Sequence, residues 1–201
     1  MKGSLIIVGF FTLGIILGLL NVIPIDIAQT DISLYTLYAL MFCVGFSMGN
    51  DPDTFKKFKK LNPGVMLLPV MTILGTLSAS ALAGLLMPQH SVTEWMAVGA
   101  GMGYYSLSSV LITEIKGVEL GTIALLSNII REIITLLGAP LLVRVFGTLA
   151  PISSGGATTM DTTLPIIVKT SGKEYTIVSI FHGMCADFSV PFIVTFFASI
   201  G

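Results

Sequence analysis

The chain has 201 residues, of which 54% are hydrophobic and only 10% charged, and its formal net charge is −1. Soluble domains carry about 25% charged residues, so this chain cannot cover a globular surface with polar groups, and lipid is its expected solvent. The near-neutral charge gives no field for holding nucleic acid, and the two histidines, His90 and His182, are too far apart for metal-ligand spacing. Cys43 and Cys185 lie in apolar stretches, which suits buried thiols rather than a disulfide.

Lys2 precedes an apolar run from Leu5 to Leu20, and no small-residue cleavage site follows it. It reads as a first membrane helix, Ser4 to Val22, rather than an export signal. The next loop carries Asp26 and Asp31 and no Lys or Arg. A second span runs from Leu34 to Met48. The loop NDPDTFKKFKKLNPG then holds Lys56, Lys57, Lys59 and Lys60. Short basic loops stay in the cytoplasm, which places residues 50–63 inside. A third span, Gly64 to Met87, exits outward to the cation-free loop PQHSVTE, and Trp95 stands where an interfacial aromatic would anchor span four.

Regularity fails in the next segment, WMAVGAGMGYYSLSSVLITEIKG, residues 95–117. Glycines 99, 101 and 103 each weaken a helix by up to about 1 kcal/mol relative to alanine, so a break is expected near Gly103–Ser106. On this topology Glu114 and Lys116 reach the cytoplasmic end, opposite PQHSVTE. A fifth span, Val118 to Phe146, carries Pro140 and is expected to kink there. Segment 151–172, PISSGGATTMDTTLPIIVKTSG, is again rich in glycine and hydroxyls and too polar for a plain span. The last span, from Tyr175 to the end, is expected to be interrupted by His182, Asp187 and Pro191.

The two irregular segments resemble each other. SLSSVLITEIKG (106–117) and MDTTLPIIVKTSG (160–172) each run from a polar patch into a short apolar run, then a charged residue and a glycine. Broken backbone at membrane depth survives only inside protein or beside a water-filled cavity. Corresponding interruptions in two parts of a transporter point to its substrate site. The alternative is that both are extramembrane loops. The fold class expected is an all-α integral membrane protein of about six transmembrane helices with two broken or re-entrant segments, in a single membrane transport domain, 1–201.

The fifth span places Asn128, Arg131, Glu132 and Thr135 on one stripe. Each charge costs about 2.5–3.5 kcal/mol at the membrane centre on insertion scales. Arg131 and Glu132 diverge by about 100° around the helix, so a partner from another segment is expected, with Asp161 a candidate for Arg131. Glu132 is either a carboxylate that binds a cation or proton, or half of an ion pair that fixes packing. Asp161 is either a second such carboxylate or a helix N-cap. His182 and Asp187 could form a second polar layer, and Tyr104 and Tyr105 could line or gate a cavity. Ser106, Ser108 or Ser109 with His182 raises a nucleophile–base dyad. The strained G-x-S-x-G elbow is absent, however, since the stretch reads GYYSLSS. The chain is therefore not expected to be an enzyme.

GMGYYSLSSVLITE, SNIIREI, GGATTMDTTLP and the late FHG, in that order, resemble the lysine exporter (LysO) family of bacterial inner-membrane proteins. The resemblance is dense over residues 100–185 and continues at the level of spans from residue 1. It implies a multi-pass exporter of L-lysine, and of analogues such as thialysine, coupled to an H+ or Na+ gradient and using no other cofactor. It implies Glu132 as the principal acidic residue, with Tyr105, Ser106, Ser108, Asp161 and Thr163 in the other motif blocks. Rival expectations are a carrier for another small cation or amino acid, and a non-transporting assembly subunit. Two departures stand out. Full-length family members carry an additional N-terminal helix block with another acidic position; the start Met1-Lys2 favours its supply by a separately encoded small membrane protein over truncation. In the family pattern an acidic residue often stands where this chain has Asn128. The expected partners are thus L-lysine, the lipid bilayer, that small protein and a homo-oligomer, with no nucleic acid.

Overall fold

The structure, a computed structural model, describes residues 63–201 together with positions 13, 16–20, 35, 39 and 42. The chain divides into two compact units, Met1–Cys43 and Val44–Gly201. In the first, positions 13, 16–19, 35, 39 and 42 are helical, and Leu13, Ile16, Leu19, Tyr35 and Phe42 are exposed. The remainder of spans one and two, Cys43, and the lysines that oriented the chain lie outside the described residues.

The described part of the second unit is helical, and no strand occurs among the described residues. A short helix α1, Pro63–Met66, leads into α2, Leu68–Leu86. Then come α3, Val92–Gly99, and α4, Tyr105–Lys116. Helix α5, Val118–Phe146, is followed by α6, Ala150–Gly155, and a 3-10 turn, Gly156–Met160. Helix α7, Leu164–Ser171, a 3-10 turn, Lys173–Tyr175, and α8, Thr176–Ile200, complete the chain. The stretches Gly64–Leu86 and Lys173–Ile200 are long and apolar enough to cross a bilayer, with mean hydropathy 1.9 and 1.7. Helix α5 has 29 residues, or about 43 Å at 1.5 Å per residue.

Segment 92–116 does not run from one end of the molecule to the other. Lys116 Nζ lies 3.3 Å from Glu94 Oε1, so the two arms α3 and α4 begin and end together. Gly201, at the end of α8, sits beside Thr93 at that same end. The expectation that Lys116 lies opposite PQHSVTE is therefore corrected. The physical reason is the run Ala100–Tyr104, where Met102 (φ 44°) and Gly103 (φ 93°) take up left-handed backbone and turn the chain back. Arms of 8 and 12 residues reach only about 12 and 18 Å, well short of a hydrocarbon core.

Segment 150–171 doubles back from the opposite end. Ile152 in its first arm and Ile167 in its second share one buried cluster with Val178, packed against Val65, Leu68, Leu149 and Tyr175. Thr148 Oγ1 donates to the Tyr175 hydroxyl at 2.9 Å, closing the base of this second hairpin. The order is thus hairpin, long helix, hairpin, long helix, and the second pair points the other way.

Small residues make the seams. Buried Gly121, Ala124 and Asn128 recur at about one turn on α5, and a Cβ on Gly121 would lie 1.8 Å from Thr113 Oγ1 of α4. On α8 the buried stripe runs through Ser179, His182, Gly183, Ala186, Asp187, Val190 and Val194, while Phe188, Phe192 and Phe196 face outward. Close backbone approach through small residues is the usual way membrane helices associate. Both α5 and α8 run unbroken through Pro140 and Pro191. His182 and Asp187 therefore do not interrupt the last helix, contrary to expectation, because they face inward among small neighbours.

Candidate functional site

The tips of the two hairpins meet near mid-length of α5. Ala157 N–H donates to the Met102 carbonyl at 2.9 Å. Gly156 (φ 62°) touches the same carbonyl: a Cβ there would lie 2.0 Å from Met102 O. A Cβ on Gly103 would lie 2.9 Å from Gly155 O. Only glycine provides both the backbone conformation and the space at Gly103 and Gly156.

Polar side chains of α5 hold the two breaks. Asn128, 3% exposed, accepts from Gly103 N–H at 2.7 Å and donates to Ala124 O at 2.8 Å, with longer contacts at 3.4 Å to Val98 O and Ser108 Oγ. Arg131 donates to Ser154 O at 2.8 Å and Ser153 O at 3.0 Å, and reaches Thr76 Oγ1 at 3.3 Å. Those carbonyls end the first arm of the second hairpin, the negative pole of a half-helix. The guanidinium is thus a C-cap for α6, not the partner of Asp161. That expectation is corrected: orphan carbonyls in an enclosed site hold the cation instead. Thr135 completes the stripe, bonding to Arg131 O and to Ser154 Oγ.

The other pole of each hairpin is open. Helices α4 and α7 both start at the tips, and neither N-cap residue, Tyr104 or Thr163, makes a side-chain capping bond. Asp161 is not an N-cap: it closes the 3-10 turn and binds the neighbouring Thr162 N–H. Two carboxylates, Glu132 and Asp161, lie near this opening, and a third, Asp187, is enclosed by protein. Glu132, half-buried, and Asp161, exposed, both lie within electrostatic reach of Tyr105, while Asp161 and Asp187 lie within reach of Tyr104. Glu132 has no hydrogen-bond or ion-pair partner among the described residues. Glu132 and Asp161, close to two half-helix N-termini, can take a zwitterion that carries an extra positive charge.

The sequence pattern of the family described as "Lysine exporter LysO" matches residues 8–198. The chain belongs to the lysine exporter LysO family. It is 31% identical over 196 residues to the "Lysine exporter LysO" of Escherichia coli K12, covering 98% of this chain and 64% of that protein. It is 36% identical over 171 residues to a "Putative lysine exporter" of Haemophilus influenzae, covering 83% of this chain and 84% of the relative. The chain thus spans under two thirds of the length of the E. coli protein. No solved structure matches it. The LysO family is one of exporters rather than enzymes.

The LysO motifs account for the geometry unevenly. GMGYY and GGATTMD form the two touching tips, and SNIIRE supplies the side chains that hold them. Glu132 and Asp161 both lie within electrostatic reach of Tyr105, and the next residue, Ser106, is exposed. Ser108 is buried and donates to Tyr104 O at 2.8 Å, and Thr163 is buried against Thr158, so both brace the tips. His182 and Asp187 both lie on the buried stripe of α8, with no hydrogen bond between them. The His182 ring lies between Thr72 Oγ1 at 2.9 Å and Thr159 Oγ1 at 3.3 Å, and Asp187 lies within electrostatic reach of Tyr104. No serine meets His182 among the described residues, so no dyad forms. The sequence reading missed Thr72 and Thr76, which hold His182 and Arg131 from α2. Two hydroxyls one turn apart in an otherwise apolar span were the available signal.

Proposed function

We propose that this chain exports L-lysine, and analogues of the same shape and charge such as thialysine, across the bacterial inner membrane. The observation that carries the proposal is the meeting of two inverted hairpin tips beside Glu132, a carboxylate without a partner among the described residues. Helices α2, α5 and α8 cross the bilayer, and the hairpins enter from opposite faces. Glu132 accepts an ammonium group of lysine, with Asp161 and Tyr105 beside it. The first-turn N–H groups of α4, at Ser106, and of α7, at Leu164, receive the α-carboxylate. Arg131 and Asn128 position the tips rather than touch substrate.

On the return stroke a proton from outside replaces lysine on Glu132, so one carboxylate alternates between two cations. The hairpins rock against α5 and α8 to expose the site to each side in turn. Coupling to H+ rather than Na+ follows from this competition, because a single carboxylate takes a proton readily while Na+ needs a shell of several oxygens. A helix-supplying small membrane protein and a homo-oligomer are the partners the reading would add, and crosslinking in native membranes followed by co-purification detects either.

The test is efflux of labelled lysine from proteoliposomes containing the chain. Lysine and thialysine should compete, arginine and ornithine less well, and external Na+ should leave the rate unchanged. Efflux that follows Na+, or a preference for another amino acid, would replace this reading with a carrier of different selectivity.

A further inference from the structure

Asp187 is an enclosed carboxyl to which the transport reading gives no task. It lies midway along α8 at 5% exposure and has no hydrogen-bond or ion-pair partner among the described residues. One turn earlier on the same face, Gly183 brings α8 against the second hairpin: a Cβ there would lie 2.7 Å from Met160 N. The next residue of that hairpin is Asp161, which is exposed and within electrostatic reach of Asp187. Tyr104, from the tip of the first hairpin, lies within electrostatic reach of both.

Among the described residues no cation pairs with these charges. Arg131 is taken up by Ser153, Ser154 and Thr76, and the His182 ring is turned to Thr72 and Thr159. Glu94 and Lys116 pair with each other at one end of the molecule. Lys169 and Lys173 belong to the last turns of α7 and the 3-10 segment at the other. An unpaired carboxylate enclosed by protein at membrane depth is costly, and uptake of a proton removes the cost.

We infer that Asp187 carries a second transported proton, distinct from the one that exchanges with lysine on Glu132. The inference rests on the transport reading above. A proton from water binds a carboxylate oxygen of exposed Asp161, passes to a carboxylate oxygen of Asp187 as the first O–H bond breaks, and leaves on the other side after the hairpins rock. Two protons then enter for each singly charged lysine that leaves. One net positive charge moves inward per cycle, so membrane potential as well as the pH gradient drives export.

Two measurements on the full chain in lipid vesicles test this. In the first, wild type should speed lysine export when an interior-negative potassium diffusion potential is applied. Asp187→Asn should keep lysine exchange and the response to a pH gradient, lose the response to potential, and regain it as Asp187→Glu. A wild type indifferent to potential, or an Asp187→Asn variant that still responds, overturns the inference. The second needs no lysine: infrared titration should show a protonated-carboxyl band that Asp187→Asn removes and Glu132→Gln keeps. Persistence of that band in Asp187→Asn overturns the inference even if the chain proves to move another substrate.

Discussion

Arg131 shows how a charge in a membrane helix can be structural while its neighbour Glu132 has no hydrogen-bond or ion-pair partner among the described residues. Its guanidinium satisfies two carbonyls that the break after α6 leaves orphaned, and hydrogen bonds to charged groups contribute about 1.5–3 kcal/mol each. Arg131→Ala should therefore lower thermal stability in detergent and expose the second hairpin to protease, whereas Arg131→Lys should recover only part, since an ammonium lacks the fork geometry. If Arg131→Ala melts like wild type yet no longer binds lysine, Arg131 contacts substrate and is not a cap. The adjacent Glu132 lies within electrostatic reach of Tyr105. The sequence made the stripe Asn128–Arg131–Thr135 legible through helical periodicity. It could not show what the stripe faces, because carbonyls at a break carry no residue code, and so Asp161 stood as the obvious partner for Arg131.

At the scale of elements, the kinship of 106–117 and 160–172 is structural. Both are the outgoing arm of a hairpin, and both end on a left-handed glycine, Gly117 (φ 93°) and Gly172 (φ 113°), just past a turn that holds a lysine. That likeness was readable; the direction of the first arm was not, since hydropathy does not distinguish a crossing from a return. Cysteines placed singly at Ser91 and Lys116, in a chain with Cys43 and Cys185 changed to serine, should react with an impermeant thiol reagent from the same side of the membrane. Labelling from opposite sides would restore a crossing helix. The first arm is also fixed by its capping box: Ser91 Oγ accepts from Glu94 N–H at 3.2 Å, and Glu94 Oε2 accepts from Ser91 N–H at 2.9 Å. That backbone bond, helped by Lys116, holds the Glu94 carboxyl below its ordinary value near 4.5. A lowered folded value means that the stabilisation is present above the ordinary glutamate range and is lost as pH falls through the lowered value. Ser91→Ala should cost about 1 kcal/mol at neutral pH, and the difference from wild type in thermal melts should shrink in acid.

Across the second unit, two hairpin-plus-helix pairs enter from opposite ends and touch through Met102, Gly103, Gly156 and Ala157. The alternating access proposed for the chain would use one hairpin at each face. The family likeness was legible because the motifs are the tips and the side chains that hold them. Orientation rested on lysines outside the described residues, so it remains an expectation from charge alone. The account stands on Glu132 as the carboxylate shared by lysine and the returning proton. The most direct measurement is lysine efflux by Glu132→Gln beside wild type, at equal amounts inserted in the membrane. Export should vanish while insertion and thermal stability stay unchanged; export at the wild-type rate would contradict the account.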